Sequence, residues 1–385
     1  MSGAVSAPWA ALPTVGVPTA VVDLDTFDNN AAALLRRAGG TPIRVASKSV
    51  RVRSLVERVL AMPGYAGVLG YSVAEAIWLV RSGIDDVVVA YPSVDDEAVR
   101  TIAADEQLAA AITFMVDLPE HVDWLAARHA GHALRVAIDV DCSLRLGPVS
   151  LGAHRSSVND AGGAGRLAER IAGRPGLLLV GMMFYEAQVA GVPDAKPGMR
   201  VVKRLSNDQL HRYRSKIRAA VEAHAALEFV NGGGTGSLHT TRLDPAITEL
   251  AAGSGLFAPT SFDGFDDLGV EPAAWFVSPV TRKPSAEVVV TFAGGYSASG
   301  ASGRSRLPKP VYPEGLSYFG QEGAGEVQSP LHGKAARTLG LGDPVWFRHA
   351  KAGEMCERFD EVVLLEGGRV RGKTPTYRGE GHNFG

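Results

Sequence analysis

Cysteine is nearly absent from this chain: Cys142 and Cys356 are the only two in 385 residues. Two thiols cannot build a disulfide scaffold or a four-cysteine zinc site. An excess of charge is missing as well. The 39 Lys and Arg against 41 Asp and Glu leave a formal net charge of −2, which argues against a nucleic-acid partner or a polybasic membrane contact. The longest apolar run, residues 176–184, is under half of the ~20 residues a membrane helix needs. No positive charge precedes the first apolar residues, so no secretory leader and a cytoplasmic location are expected. Internal repeats and low-complexity tails are lacking too. What is present, 46% hydrophobic and 21% charged residues, is an ordinary globular composition, long enough for two or three domains.

From residue 42 to about 252, short apolar runs alternate with helical patterns. The strand candidates are 43–46, 66–70, 87–91, 111–116, 134–140, 177–184, 227–231 and 247–251. They read as continuous apolar stretches, as strands do when both faces are covered. Helices are expected between them, for example over 52–61 and 207–226. Eight such units fit a TIM-type (β/α)8 barrel better than an open sheet. A ninth strand candidate, 19–24, leads into a helix with Asp25 as its N-cap and Gly39-Gly40 at its end. A barrel needs only eight strands, so this leading strand has to pair elsewhere. After about residue 270, strands at 286–292, 344–348 and 361–365 are separated by Gly, Ser and Pro clusters, with a long loop over 294–313. The expected class is α/β: a barrel over 25–270, with 1–24 and 271–385 forming a mostly-β domain that completes the active site.

Candidate chemistry gathers where barrel strands end. Lys48 follows the first strand, where a partly desolvated amine serves as a nucleophile; the alternative is an ordinary loop lysine. Gly233, Gly234, Thr235 and Gly236 follow the seventh strand, and Ser254-Gly255 the eighth. Glycines at those two places let backbone N–H groups approach a phosphate, or else form flexible turns. The run 139–147 after the fifth strand offers Arg145 for a carboxylate or phenolate, unless Asp139, Asp141 and Arg145 satisfy one another. Tyr185, Glu186 and Gln188 close the sixth strand. Ser72–Glu75 has the form of a helix capping box.

Taken in order, these motifs resemble the fold-type III pyridoxal-phosphate enzymes, the alanine-racemase-like barrel group. The branch they look most like is that of D-threonine aldolase and D-serine dehydratase. The similarity starts at Pro18–Asp25 with Asn30 and runs through Arg44–Lys48, Tyr71–Ala76, Ser82–Ile84, Val87–Pro92, Asp139–Gly147, Gly233–Gly236, Glu249–Gly255 and Ala293–Gly295. It implies that Lys48 carries pyridoxal 5′-phosphate. It further implies that Arg145, Tyr185, Gly233, Gly234, Thr235, Gly236, Ser254 and Gly255 bind this cofactor, and that Arg44 and Gln188 face substrate. It implies a homodimer acting on a small amino acid.

Two departures stand out. Val45 and Ala46 occupy the Pro and His places of the branch's Arg-Pro-His-x-x-Lys run. The branch's metal site pairs a His with a Cys or Asp two residues later, whereas this chain reads His349-Ala350-Lys351. A protonated lysine is no ligand. Either Lys351 acts at the substrate hydroxyl with His349 as its acid–base neighbour, or a divalent metal is held through His349 while Lys351 faces solvent. The expected activity is retro-aldol cleavage of a D-configured β-hydroxy amino acid. Dehydration of such a substrate comes next, then racemisation through Tyr296, Tyr312 or Tyr318, then a non-catalytic cofactor carrier.

Overall fold

The computed structural model describes residues 8–12, 14 and 16–385; residues 1–7, at the head of the expected 1–24 segment, lie outside it. Eight parallel strands close into a barrel in the order Ile43–Ala46, Tyr65–Gly70, Val87–Val89, Ile112–Val116, Leu134–Asp139, Leu177–Phe184, Phe229–Gly232 and Glu249–Ala252. Leu250 pairs with Ile43 and closes the ring. Both faces of each strand are buried. Val88, Met115, Ala137, Val180, Met183 and Phe229 pack inside the barrel, while Val87, Val89, Val136 and Ile138 join the helices outside. That is why period-two alternation is missing from the sequence.

The second body is a nine-stranded sheet. Thr19–Asp23 inserts there between Ala274–Ser285, antiparallel, and Glu361–Glu366, parallel. The leading strand thus pairs outside the barrel. Its helix, Leu24–Ala38, is capped by Asp23, whose carboxylate accepts the Thr26 N–H at 2.7 Å. Asp25, the expected cap, lies inside the helix and accepts the Gly367 N–H instead, at 2.6 Å. Gly39 ends the helix at φ 58°, a left-handed conformation that glycine adopts without steric cost.

Two further expectations are corrected. The basic helix runs over Met199–Glu222 rather than 207–226. Residues 294–313 are not all loop, since a 3-10 turn forms at Arg304–Arg306 and a strand at Lys309–Tyr312. Ala274–Ser285, Gln328–His332 and Arg369–Pro375 were also not expected as strands. Pro279, Pro310 and Pro330 interrupt the first two and Lys309–Tyr312, and proline ordinarily argues against a strand. Among the described residues, no helix is long and apolar enough to cross a membrane.

Candidate active site

A cavity of about 760 Å³ opens at the carboxyl ends of the barrel strands, the end where barrels of this kind place their chemistry. Lys48 is open to it. The strand Ile43–Ala46 ends in a 3-10 turn, Ser47–Ser49, so the lysine leaves the barrel wall at the rim. Its Nζ donates to the Tyr91 hydroxyl at 2.6 Å. The turn is held from behind by Arg51, which adopts a left-handed φ of 53°. The Arg51 guanidinium donates to the Lys48 carbonyl at 3.2 Å, pairs with Glu357 and lies over the Tyr71 ring. The sheet domain presses on the same turn, because Gly353, at φ 82°, passes so close to the Lys48 carbonyl that a Cβ there would collide with it.

Two glycine-rich loops line the same cavity, the second of them touching the Lys48 turn, where Ser254 Oγ lies 3.0 Å from Ser49 Oγ. Thr235 Oγ1 accepts the Gly255 N–H at 3.0 Å and ties them together. Neither loop has room for added side chains: a Cβ on Gly234 would lie 2.8 Å from Ala190 Cβ, and one on Gly255 2.8 Å from Thr235 Cγ2. Gly233 has φ +81°. What faces the cavity there is backbone, which suits an anion such as a phosphate. A lysine amine and a glycine-rich anion cradle lining one cavity, with Thr235 and Ser254 beside the glycines, fit pyridoxal 5′-phosphate. Glu186 organises the cradle from beneath. Its buried carboxylate accepts from Gly233 N at 3.3 Å, from Ser237 Oγ at 2.8 Å, from Thr241 Oγ1, and from Arg214 Nη2 at 2.7 Å.

Other expected residues fall into two groups. Tyr185 and Lys351 line the cavity with Lys48, Gly233, Gly234, Thr235 and Ser254. Partial desolvation, with Tyr91 and Glu186 nearby, pushes the Tyr185 phenol up to about 12, so it stays protonated at neutral pH. Lys351 Nζ meets Ser299 Oγ at 3.0 Å. Burial holds its ammonium below the ordinary lysine range; Glu354 opposes this, while Arg306, Lys48 and Arg155 add to it.

Arg44, Arg145, Gln188 and His349 do not line the cavity. Arg44 sits inside the barrel, bonded to Glu249 through Nε at 2.8 Å and to Asp86 at 2.8 Å. Arg145 lies on a short hairpin, 144–146 with 149–151, and pairs with Asp141 at 2.6 Å. The arginine this region presents to the cavity is Arg155, ten residues later. Gln188 is buried and donates to the Cys142 carbonyl at 2.7 Å. Gly236 backs the cradle, where a Cβ would meet the Ala190 carbonyl at 2.5 Å. The three tyrosines that kept racemisation open are also elsewhere: Tyr296 packs on Phe276 and Phe359, Tyr312 stacks on Trp9, and Tyr318 is packed near Phe347.

His349 is 3% exposed and neither ring nitrogen has a partner. Burial, with Arg348 beside it, pushes its pKa down to about 3. Among the described residues no three His, Cys, Asp or Glu side chains are grouped to hold a metal ion. With a lysine two residues on, the residues present do not fit a divalent cation. The capping-box reading of Glu75 is half right: Ser72 Oγ accepts the Glu75 N–H, but the Glu75 carboxylate bonds Tyr71 N at 2.7 Å beneath the Lys48 turn. Sequence reasoning missed Tyr91, Arg155, Ser299 and Arg306 as cavity residues; no spacing rule links them to Lys48.

No family model matches the chain. It is 26% identical over 323 residues to a D-threonine aldolase of an Arthrobacter species, covering 81% of this chain and 79% of the relative. It is also 26% identical over 260 residues to a 3-hydroxy-D-aspartate aldolase of Paracoccus denitrificans (strain Pd 1222), covering 66% of this chain and 63% of that protein. Among solved structures, D-threonine aldolase from Filomicrobium marinum superposes with a TM-score of 0.78 at 21% identity, over 94% of this chain and 97% of that one. A D-threo-3-hydroxyaspartate dehydratase from Delftia sp. HT23 gives 0.73 at 19%, over 95% and 98%. Alanine racemase from Corynebacterium glutamicum gives 0.60 at 19%, over 86% and 90%. The fold is thus that of the alanine-racemase-like proteins, and over most of its length the sequence is similar to a D-threonine aldolase.

Proposed function

We propose that the protein is a pyridoxal-phosphate-dependent lyase that cleaves a D-configured β-hydroxy amino acid by a retro-aldol reaction. One observation carries this reading: the Lys48 amine, without an ion-pair partner among the described residues, opens into one cavity with two glycine-rich loops whose backbone suits a phosphate. When bound, the cofactor supplies an electron sink for negative charge at the substrate α-carbon. Lys48 holds it covalently, and Tyr91 fixes the direction of the lysine. The loops at 233–236 and 254–255 take the phosphate. Arg155, which has no ion-pair partner among the described residues, faces the substrate α-carboxylate.

Lys351 stands at the substrate hydroxyl. Its depressed basicity suits an amine that takes the hydroxyl proton. The Cα–Cβ bond then breaks with its electron pair on Cα, the aldehyde leaves, and a proton returns to the α-carbon, giving glycine. Tyr185 contributes a hydrogen bond and no base. His349, buried against Phe257 and outside the cavity lining, takes no proton in this scheme.

Elimination is the second reading, because an ammonium at the same place protonates a departing hydroxyl. Incubating the cofactor-loaded protein with a panel of D- and L-β-hydroxy amino acids separates the two. Glycine plus an aldehyde supports cleavage, and a keto acid plus ammonia supports elimination. A mirror-image amino acid would overturn both.

A further inference from the structure

The cavity carries more positive charge than the reaction proposed above uses. Lys48, Arg155, Arg306 and Lys351 all line it, and none forms an ion pair among the described residues. The acidic groups at its wall are largely engaged. Asp117 pairs with His121 at 3.0 Å, Asp141 with Arg145, and Glu354 accepts the Ser299 N–H at 2.9 Å. Asp139, half-buried and close to Asp117 and Asp141, is pushed up to about 8 chiefly by desolvation, with Arg155 opposing, and carries reduced charge at neutral pH. The cavity is therefore built for a ligand with several negative charges.

Each cation but one has a task in the lyase reading. Lys48 is for the cofactor, Arg155 for the α-carboxylate and Lys351 for the hydroxyl. Arg306 is left. It sits in the 3-10 turn Arg304–Arg306 of the sheet domain. Its guanidinium lies flat against the preceding loop, where a Cβ on Gly300 would be 3.1 Å from Nε and 3.2 Å from Nη2. That Nε is buried with no partner. The same loop carries Ser299, the partner of Lys351, so the guanidinium and the amine stand on one wall of the cavity that Lys48 enters.

A substrate whose hydroxyl meets Lys351 has its β-carbon on this wall, so any acid group on that carbon or the next falls beside Arg306. We infer that Arg306 forms a subsite for a second acid group on the substrate side chain, so that the natural substrate is an acidic β-hydroxy amino acid and not a neutral one. The inference rests on the lyase reading for the identity of the ligand, and on the cavity alone for the location of the charge. A planar guanidinium is the side chain best matched to a carboxylate, through two parallel hydrogen bonds.

The test is equilibrium binding, which needs no turnover. Calorimetry on the cofactor-loaded protein compares D-aspartate with D-2-aminobutyrate, which has a methyl in place of the second carboxylate. Wild type should prefer D-aspartate by about tenfold or more. Arg306→Met should collapse that ratio toward one, and Arg306→Lys should restore part of it. A thermal melt of each variant reports whether it folds, and Arg306→Lys serves if the methionine variant does not. A wild-type ratio near one would overturn the inference, as would a ratio that survives both variants. Equal weakening of the two ligands by Arg306→Met would also overturn it, by placing Arg306 at the α-carboxylate. Absence of product from every hydroxy amino acid, with the ratio intact, would sink the lyase reading and leave the subsite standing.

Discussion

Arg214 and Glu186 form a fully buried ion pair, Nη2 to Oε2 at 2.7 Å, beneath the loop that cradles the proposed phosphate. Asp244 meets the same guanidinium at 3.3 Å. Glu186 is thus a positioning residue for Gly233–Ser237, at one remove from the cavity. Removing Arg214 leaves its carboxylate buried and unpaired, and such a change costs about 3–5 kcal/mol. Arg214→Met should lower the unfolding free energy by that order, read from urea denaturation. The Arg214→Met/Glu186→Gln double variant should lose less than the sum of the singles. Additive losses would show that the two residues stabilise the fold independently.

Lys48 is expected to carry the cofactor. Borohydride reduction of the loaded protein, followed by peptide mapping, should place the pyridoxyl label on the peptide containing Lys48. Lys48→Ala should bind the cofactor reversibly, without the label. A label on Lys351, the other cavity lysine, would reverse the assignment of the two amines.

Gly234→Val puts side-chain atoms where even a Cβ comes within 2.8 Å of Ala190. The crowding should displace the loop and weaken cofactor retention by about tenfold, on the scale of small overpacking costs. Dialysis against buffer, with the retained cofactor read by absorbance, checks this. Retention equal to wild type would move the phosphate to another part of the cavity.

The misfit of a divalent ion at His349 and Lys351 predicts that a chelator leaves activity unchanged. Lys351→Met should lower kcat by about 10²–10⁴, the range of a lost general acid or base. Metal analysis of protein purified without added metal completes the experiment. One bound metal per chain whose removal abolishes activity, with Lys351→Met still active, would overturn the assignment of Lys351.

His349 offers a pH signature. Its pKa falls from the ordinary 6.5 to about 3 on folding, so the unfolded chain binds a proton that the folded chain refuses. Stability from this group is complete above about pH 6.5 and declines as pH falls toward 3. At pH 5 the loss is about 2 kcal/mol. His349→Gln, which cannot titrate, should lack that decline. Parallel melts of the two proteins between pH 5 and 7.5 measure it, and identical pH profiles would show that His349 is accessible to protons.

The barrel was legible because eight doubly buried strands leave eight apolar runs, each bounded by a helix pattern. The crowded glycine loops proposed to take the phosphate were legible for a related reason: Gly233, Gly234 and Gly255 mark places where side chains do not fit, and this restriction is written directly in residue type. Arg155 and Arg306 were not legible. Each reaches the cavity from an irregular segment, the coil after the hairpin 144–151 and the turn 304–306, and neither path follows from a periodic pattern. Arg145 was preferred because it is nearer the strand end in sequence, yet the hairpin turns it onto Asp141. The sheet domain was seen only in part because its prolines obscure strands that Thr19–Asp23 and its neighbours hold in register through distant pairing.

The close passage of Gly353 over the Lys48 carbonyl, with the Arg51–Glu357 pair beside it, gives the nucleophile's turn two owners. Tyr377 adds a backbone bond to the Arg51 carbonyl at 2.9 Å. Loosening the sheet body would therefore release the lysine as well, and the barrel has no separate melting event of its own to offer. Such a chain is expected to denature in a single cooperative step, with loss of the cofactor signal and loss of the sheet coinciding.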